Sequence, residues 1–156
     1  MHELQVVDAA ELATAYAAAR YCVALDGDTF ALRVGEPALD LEAYWPATRY
    51  VFITAWNPAS EPRSDSANET ADALLVAQLD AAGASRQPAW AEDVDGDWRE
   101  PGWLVADLDP ATRDTLACEF GQAAVLAWER GQPVRLRMLM PRPAEMAVGD
   151  ATDWVE

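Results

Sequence analysis

Residues 49–57, RYVFITAWN, are apolar on both faces that alternate along a strand, with Phe52 and Trp56 on one and Val51, Ile53 and Ala55 on the other. A strand open to water on one side would be polar on that side. This one is therefore expected in the centre of a sheet, with other elements over both faces. The polar side chains Thr54 and Asn57 come where it ends, before a proline and the loop ASEPRSDS. Sites are often built at such strand ends.

The rest of the chain supplies partners for a central strand. Tyr21 to Leu25 and Thr29 to Val34 flank Asp26-Gly27-Asp28, the composition of a tight hairpin loop. Trp90 to Val94 and the segment from Trp98 flank Asp95-Gly96, after which Gly102 to Leu108 reads as an apolar strand. Gln122 to Glu129 and Pro133 to Met140 are joined by Arg130-Gly131.

Helical signals lie between these strands. Asp8 and Glu11 have the spacing of a capping box, and Val7 can close over Leu12, which predicts a helix from about Ala9 to Arg20 with Leu12, Tyr16 and Ala19 inward. Pro37 to Tyr44 predicts a short helix. Ser66 and Glu69 predict another, running to about Ala82 and ended by Gly83, with Ala71, Leu74, Leu75, Leu79 and Ala82 as its buried stripe. Asn68 falls three residues before Ala71 and seven before Leu75, so its amide points inward. Asp109-Pro110 starts a last helix and Gly121 stops it. The expected fold is α+β: a single domain whose mixed or mostly antiparallel sheet is covered by three to four helices, with a polar tail from about residue 141.

At 156 residues, 51% of them hydrophobic and with seven Trp, the chain can bury a core in spite of its formal charge of −16. Twenty-seven acidic against eleven basic residues repel a phosphate backbone, so direct nucleic-acid binding is not expected. The acids are spread along the chain and serve mainly to solvate its surface; the alternative is a basic protein partner drawn by that charge. No basic-then-apolar leader opens the chain and no run of about 18 apolar residues occurs, so a cytoplasmic location and no membrane span are expected. Cys22 and Cys118 match no metal or redox spacing.

The missing residue types restrict chemistry most. There is no Lys, and His2 is the sole His. A P-loop lysine, a Schiff base, a Ser-His-Asp triad and a Cys-His dyad are thereby excluded, and no zinc-ligand spacing is present. Catalysis, where present, rests on carboxylates, amides, hydroxyls, Arg or a hard divalent cation, and no particular cofactor is indicated. The acidic run Glu92, Asp93, Asp95, Asp97 is not an EF-hand, since the sixth and twelfth positions from Asp93 hold Trp98 and Leu104.

Glu100 is the candidate catalytic residue, because burial between Trp98 and Trp103 would raise its pKa into the range of a general acid or base. Thr54, Trp56, Asn57, Asn68, Trp98 and Gln122 are the candidate ligand-binding residues. Each also has an architectural reading: Asn57 before Pro58 suits an ordinary turn, Asn68 can hold loop carbonyls, and Arg99, Arg135 or Arg137 can pair with Glu100. Arg135 and Arg137, on one strand face, are expected to offset carboxylates.

Together FITAWNP, Asn68, W-x-EPGWLV and FGQAAVLAW resemble the small bacterial proteins of the domain of unknown function 3293 family, over about Tyr50 to Gly131. The resemblance implies that Thr54, Trp56, Asn57, Pro58, Asn68, Trp98, Glu100, Pro101, Phe120, Gly121 and Gln122 are pattern residues. It implies no activity, substrate or cofactor. The expectation that follows is a pocket for a small polar metabolite or nucleotide, in which Asn57, Asn68 and Gln122 make hydrogen bonds and Trp56 or Trp98 forms a flat wall.

Overall fold

The computed structural model describes residues 2–58, 61–93, 95, 98–144 and 151–155, with side chains from Ala9 onward. Its elements run α1 His2–Ala18, β1 Arg20–Leu25, β2 Asp28–Leu32, α2 Leu39–Tyr44, β3 Arg49–Ile53, α3 Asp65–Ala81, β4 Ser85–Glu92, β5 Arg99–Ala106, α4 Pro110–Glu119, β6 Ala124–Glu129, β7 Arg135–Pro141 and β8 Thr152–Val155. The strands form one sheet in the order β2-β1-β4-β5-β3-β6-β7-β8. Every pairing is antiparallel except the parallel β7–β8. The fold is α+β, a single domain.

The strand that is apolar on both sides is central, as its composition demands. β3 pairs with β5 on one flank, Phe52 opposite Leu104, and with β6 on the other, Phe52 opposite Leu126. One face of the sheet buries Tyr21, Tyr50, Phe52, Leu104, Leu126 and Leu136 beneath residues of α1 and α2 such as Ala13 and Leu41. The other buries Val51, Ile53, Val105 and Val125 beneath Leu75 and Leu79 of α3 and Leu116 and Ala117 of α4. Removing these apolar surfaces from water stabilises by about 25 cal/mol per Å². Aromatic pairs add direction: Tyr50 stacks on Trp128 at 5.2 Å and Tyr21 meets Phe52 edge-on at 5.4 Å.

Local chemistry explains the element ends. Asp26 and Gly27, at φ of 50° and 87°, form the two-residue left-handed turn that matches strand twist in the β1–β2 hairpin. The Asp109 carboxylate accepts from the backbone N–H groups of Ala111 and Thr112 and caps α4 ahead of Pro110. Glu42 is buried. It accepts from the Trp128 indole at 2.9 Å and the Gly131 N–H at 2.8 Å, tying α2 to β6 and the turn after it.

Several boundaries differ from expectation. α1 begins at His2, so Asp8 lies inside the helix rather than at its cap; the side chains of Val7 and Asp8 lie outside the described residues. The cap of α3 is Ser64, whose hydroxyl accepts from the Ala67 N–H; Ser66 sits in the first turn. Leu74 is 58% exposed and does not belong to the buried stripe. β3 stops at Ile53; beyond it the Trp56 N–H turns back to the Thr54 hydroxyl and the backbone bends at Trp56 and Asn57. β4 starts at Ser85 in spite of Pro88, because the neighbouring β1 ladder ends at Ala89 and demands no N–H there. The tail from 141 ends in β8, where Arg135 pairs with Asp153. Part of the Asp95-Gly96 turn lies outside the described residues.

Candidate functional site

The chain leaves β3 by a sequence of local bonds. The Thr54 hydroxyl donates to the Pro101 carbonyl at 2.7 Å and accepts from the Trp56 N–H at 3.0 Å. Pro101 offers a carbonyl and no N–H at a place where β3 has ended, which is where a proline can sit inside a sheet. Beside it Gly102 lets two neighbouring strands approach closely: a Cβ there would lie 2.8 Å from the Ile53 carbonyl oxygen and 3.0 Å from the Phe52 ring.

Asn57 follows in a left-handed conformation at φ 41°, which Asn adopts more readily than most residues. Its amide is shared three ways. The oxygen accepts from Asn68 Nδ2 at 2.8 Å and from the Arg63 N–H at 3.0 Å, and the nitrogen donates to Glu100 Oε2 at 3.1 Å. Asn68 returns the contact by accepting the Asn57 N–H at 2.9 Å. Arg63 closes the loop, donating from Nε to Asn68 at 3.3 Å and from a terminal nitrogen to the Ala55 carbonyl at 3.0 Å. Asn68 is 1% exposed and faces the first turn of α3 inward, as its spacing predicted.

Two turns meet at this point. Gly121, at φ 66°, packs on Pro58, where a Cβ would be 3.0 Å away. Gln122 follows it and donates to the Trp56 carbonyl at 3.1 Å. The segments around Asn57-Pro58, Glu100-Pro101-Gly102 and Gly121-Gln122, far apart in sequence, thus close on one another.

A cavity of about 40 Å³ opens beside them, on the sheet face under α1. Thr54, Asn57, Trp98, Glu100 and Gln122 line it. Tyr16 of α1, Tyr21 of β1 and Phe52 of β3 supply aromatic walls, with small and aliphatic residues of β4, β6 and β7 completing it. Space of this size accepts about three water-sized groups.

Glu100 is the ionisable group on that wall. It is 6% exposed and, among the described residues, has no ion pair. Burial pushes its carboxyl up to about 7, and hydrogen bonds from Asn57 and Trp98 pull the other way without cancelling that rise. The Tyr21 phenol, donating to the Tyr16 carbonyl at 2.6 Å, is also pushed up by burial and remains neutral.

The expected residues divide accordingly. Thr54, Asn57, Trp98, Glu100 and Gln122 come together around the cavity. Asn68 stands behind Asn57 with both amide ends engaged, and does not line it. Trp56 contributes its backbone to Gln122, while its ring is not among the lining residues. None of the arginines expected as alternatives pairs with Glu100: Arg99 lies over the Trp90 ring at 4.1 Å, Arg135 binds Asp153 and Arg137 binds Asp114. Arg63, Tyr16, Tyr21 and Gly102 were not singled out for this site. The available signal was that a tyrosine at a core position needs a partner for its hydroxyl.

Among the described residues no group of three or more His, Cys, Asp or Glu is placed to hold a metal ion, and no helix is long and apolar enough to cross a membrane. Cys22 and Cys118 are free thiols. Residues 53–125 match the family described as protein of unknown function (DUF3293). No curated protein and no solved structure matches the chain.

Proposed function

We propose that this domain binds the polar end of a small metabolite in the cavity beside β3. Glu100, Asn57 and Gln122 make the hydrogen bonds and Trp98 forms a flat wall. Asn68 and Arg63 hold Asn57 in place. One observation carries the reading: a buried carboxyl that has no ion pair among the described residues lines a cavity, an arrangement that costs stability and marks a candidate site. The cavity is far smaller than the roughly 300–1,000 Å³ of a site that swallows a whole drug-sized ligand, so a small metabolite is favoured over a nucleotide. For proton transfer Glu100 is the group, since a pKa near the working pH suits both accepting and giving a proton.

A thermal-shift panel of small polar metabolites and nucleotides, with and without Mg²⁺, tests this. Saturable stabilisation by a small metabolite is expected, amounting to about 2.7 kcal/mol at a hundredfold excess over Kd. Glu100→Gln should abolish it while leaving the protein folded. No stabilisation by any compound at large excess sinks the proposal.

The net charge of −16 supports a second reading, an acidic surface that engages a basic protein partner. Such a complex would be captured at low salt and lost at high salt, whereas small-ligand binding in a buried cavity would respond much less.

A further inference from the structure

We propose that the group seated in this cavity is a small organic cation, an ammonium or amidinium, held by Glu100 among aromatic side chains. This rests on the cavity being a binding site and specifies the ligand's charge. Three observations converge on it.

Among the described residues the lining contains one carboxylate and no cationic side chain. The arginines are placed elsewhere; Arg49, Arg113, Arg135 and Arg137 gather in a groove on the opposite sheet face, each already paired with Glu129, Asp114 or Asp153. A carboxylate left unpaired in a chain of net charge −16 offers a strong site to a positive ligand and a poor one to an anion.

The walls suit a cation as well. Tyr16, Tyr21, Phe52 and Trp98 all line the space, and ring faces attract ammonium groups through their quadrupoles. Aromatic enclosure joined to one carboxylate is the general chemistry by which proteins take up organic cations.

Hydrogen-bonding capacity points the same way. Gln122 uses its nitrogen on the Trp56 and Phe120 carbonyls, which leaves its oxygen as an acceptor. With the carboxylate, that makes acceptors the larger share of what the wall offers, matching a ligand rich in N–H donors. The groups facing Glu100 are Tyr16 from α1, Tyr21 from β1, Asn57 and Trp98, with the Arg63 guanidinium two amides behind, through Asn68 and Asn57. None of these supplies a counter-charge in direct contact.

NMR titration of the whole chain reads the site directly through the Trp98 indole N–H and the Asn57 and Gln122 side-chain amides. The probes are acetamidinium and methylammonium, with neutral acetamide and sodium chloride at matched ionic strength as comparisons. The cations are expected to shift these signals saturably, about tenfold more tightly at pH 8 than at pH 6 as the fraction of ionised Glu100 rises. E100Q should remove the saturable shift; if that variant does not fold, the pH dependence of the unaltered chain gives the same discrimination. Acetamide binding as tightly as acetamidinium, with no change between the two pH values, overturns the charge assignment and leaves the binding site standing. Shifts from none of the organic probes overturn both.

Discussion

Glu42 and Glu100 are both buried carboxyls, and their neighbours treat them differently. Glu42 has a donor on each oxygen and joins an α-helix to the sheet. Glu100 faces a cavity, and its elevated pKa has a thermodynamic consequence. Between the ordinary carboxyl value of 4.5 and about 7 the folded protein keeps a proton that the unfolded chain has released. Folding stability therefore falls as pH rises through this window, and the full cost of the buried charge is present above it. Glu100→Gln keeps an acceptor for Asn57 and removes the charge. It should leave stability nearly unchanged at pH 4 and raise it by on the order of 1–3 kcal/mol at pH 8. Urea denaturation at the two pH values checks this; equal effects at both would show that ionisation is not the source of the cost.

At the scale of single residues, much of this neighbourhood was visible in the amino-acid order. Asn68 could be placed inward because it shares a helical face with Ala71 and Leu75, and Glu100 could be singled out because tryptophans flank it. Their partners could not be read. The Thr54–Pro101 and Asn57–Glu100 bonds join residues more than forty positions apart, and strand order decides which distant turns meet. Alternation gave no guide to the Trp56 ring for a related reason: it assigns a face only while the strand lasts, and β3 ends at Ile53.

Among the elements, β5 carries the tightest constraint. Gly102 approaches a carbonyl of β3 that its own strand pairing holds in place, so the neighbour cannot move aside. Gly102→Ala should cost about 1–3 kcal/mol through overpacking, against the gain of up to about 1 kcal/mol that alanine brings by restricting the unfolded chain. The same Cβ presses on Phe52, which lines the cavity, so ligand binding should weaken with stability. Thermal melts with and without ligand measure both; a stabilised variant would show that β3 and β5 separate easily. Elements with strong local signals were legible, such as the Asp109-Pro110 helix start and the Asp26-Gly27 turn. β8 was not, because its four residues are all half-buried and show no alternation.

For the molecule as a whole, the two covered faces of the sheet draw on the chain unequally. The buried residues of the layer under α3 and α4 all lie between Val51 and Val125, nearly the stretch that matches the family. The layer containing the cavity runs from Ala13 to Met138 and needs α1 to close it. The first can be assembled from one continuous piece of chain, while the second must bring distant pieces together at a greater cost in loop entropy. The apolar double-faced strand announced that two layers exist but could not say which helix covers which.

That division gives the protein a natural order of opening. Lifting α1 would remove the Tyr16 wall of the cavity while the α3–α4 layer kept its packing, so access to it widens without global unfolding. Native-state hydrogen exchange should show α1 amides opening at lower free energy than those of α3, and equal protection of the two helices would contradict it. A molecule that can part along one seam can widen the entrance for a guest seated beside a helix.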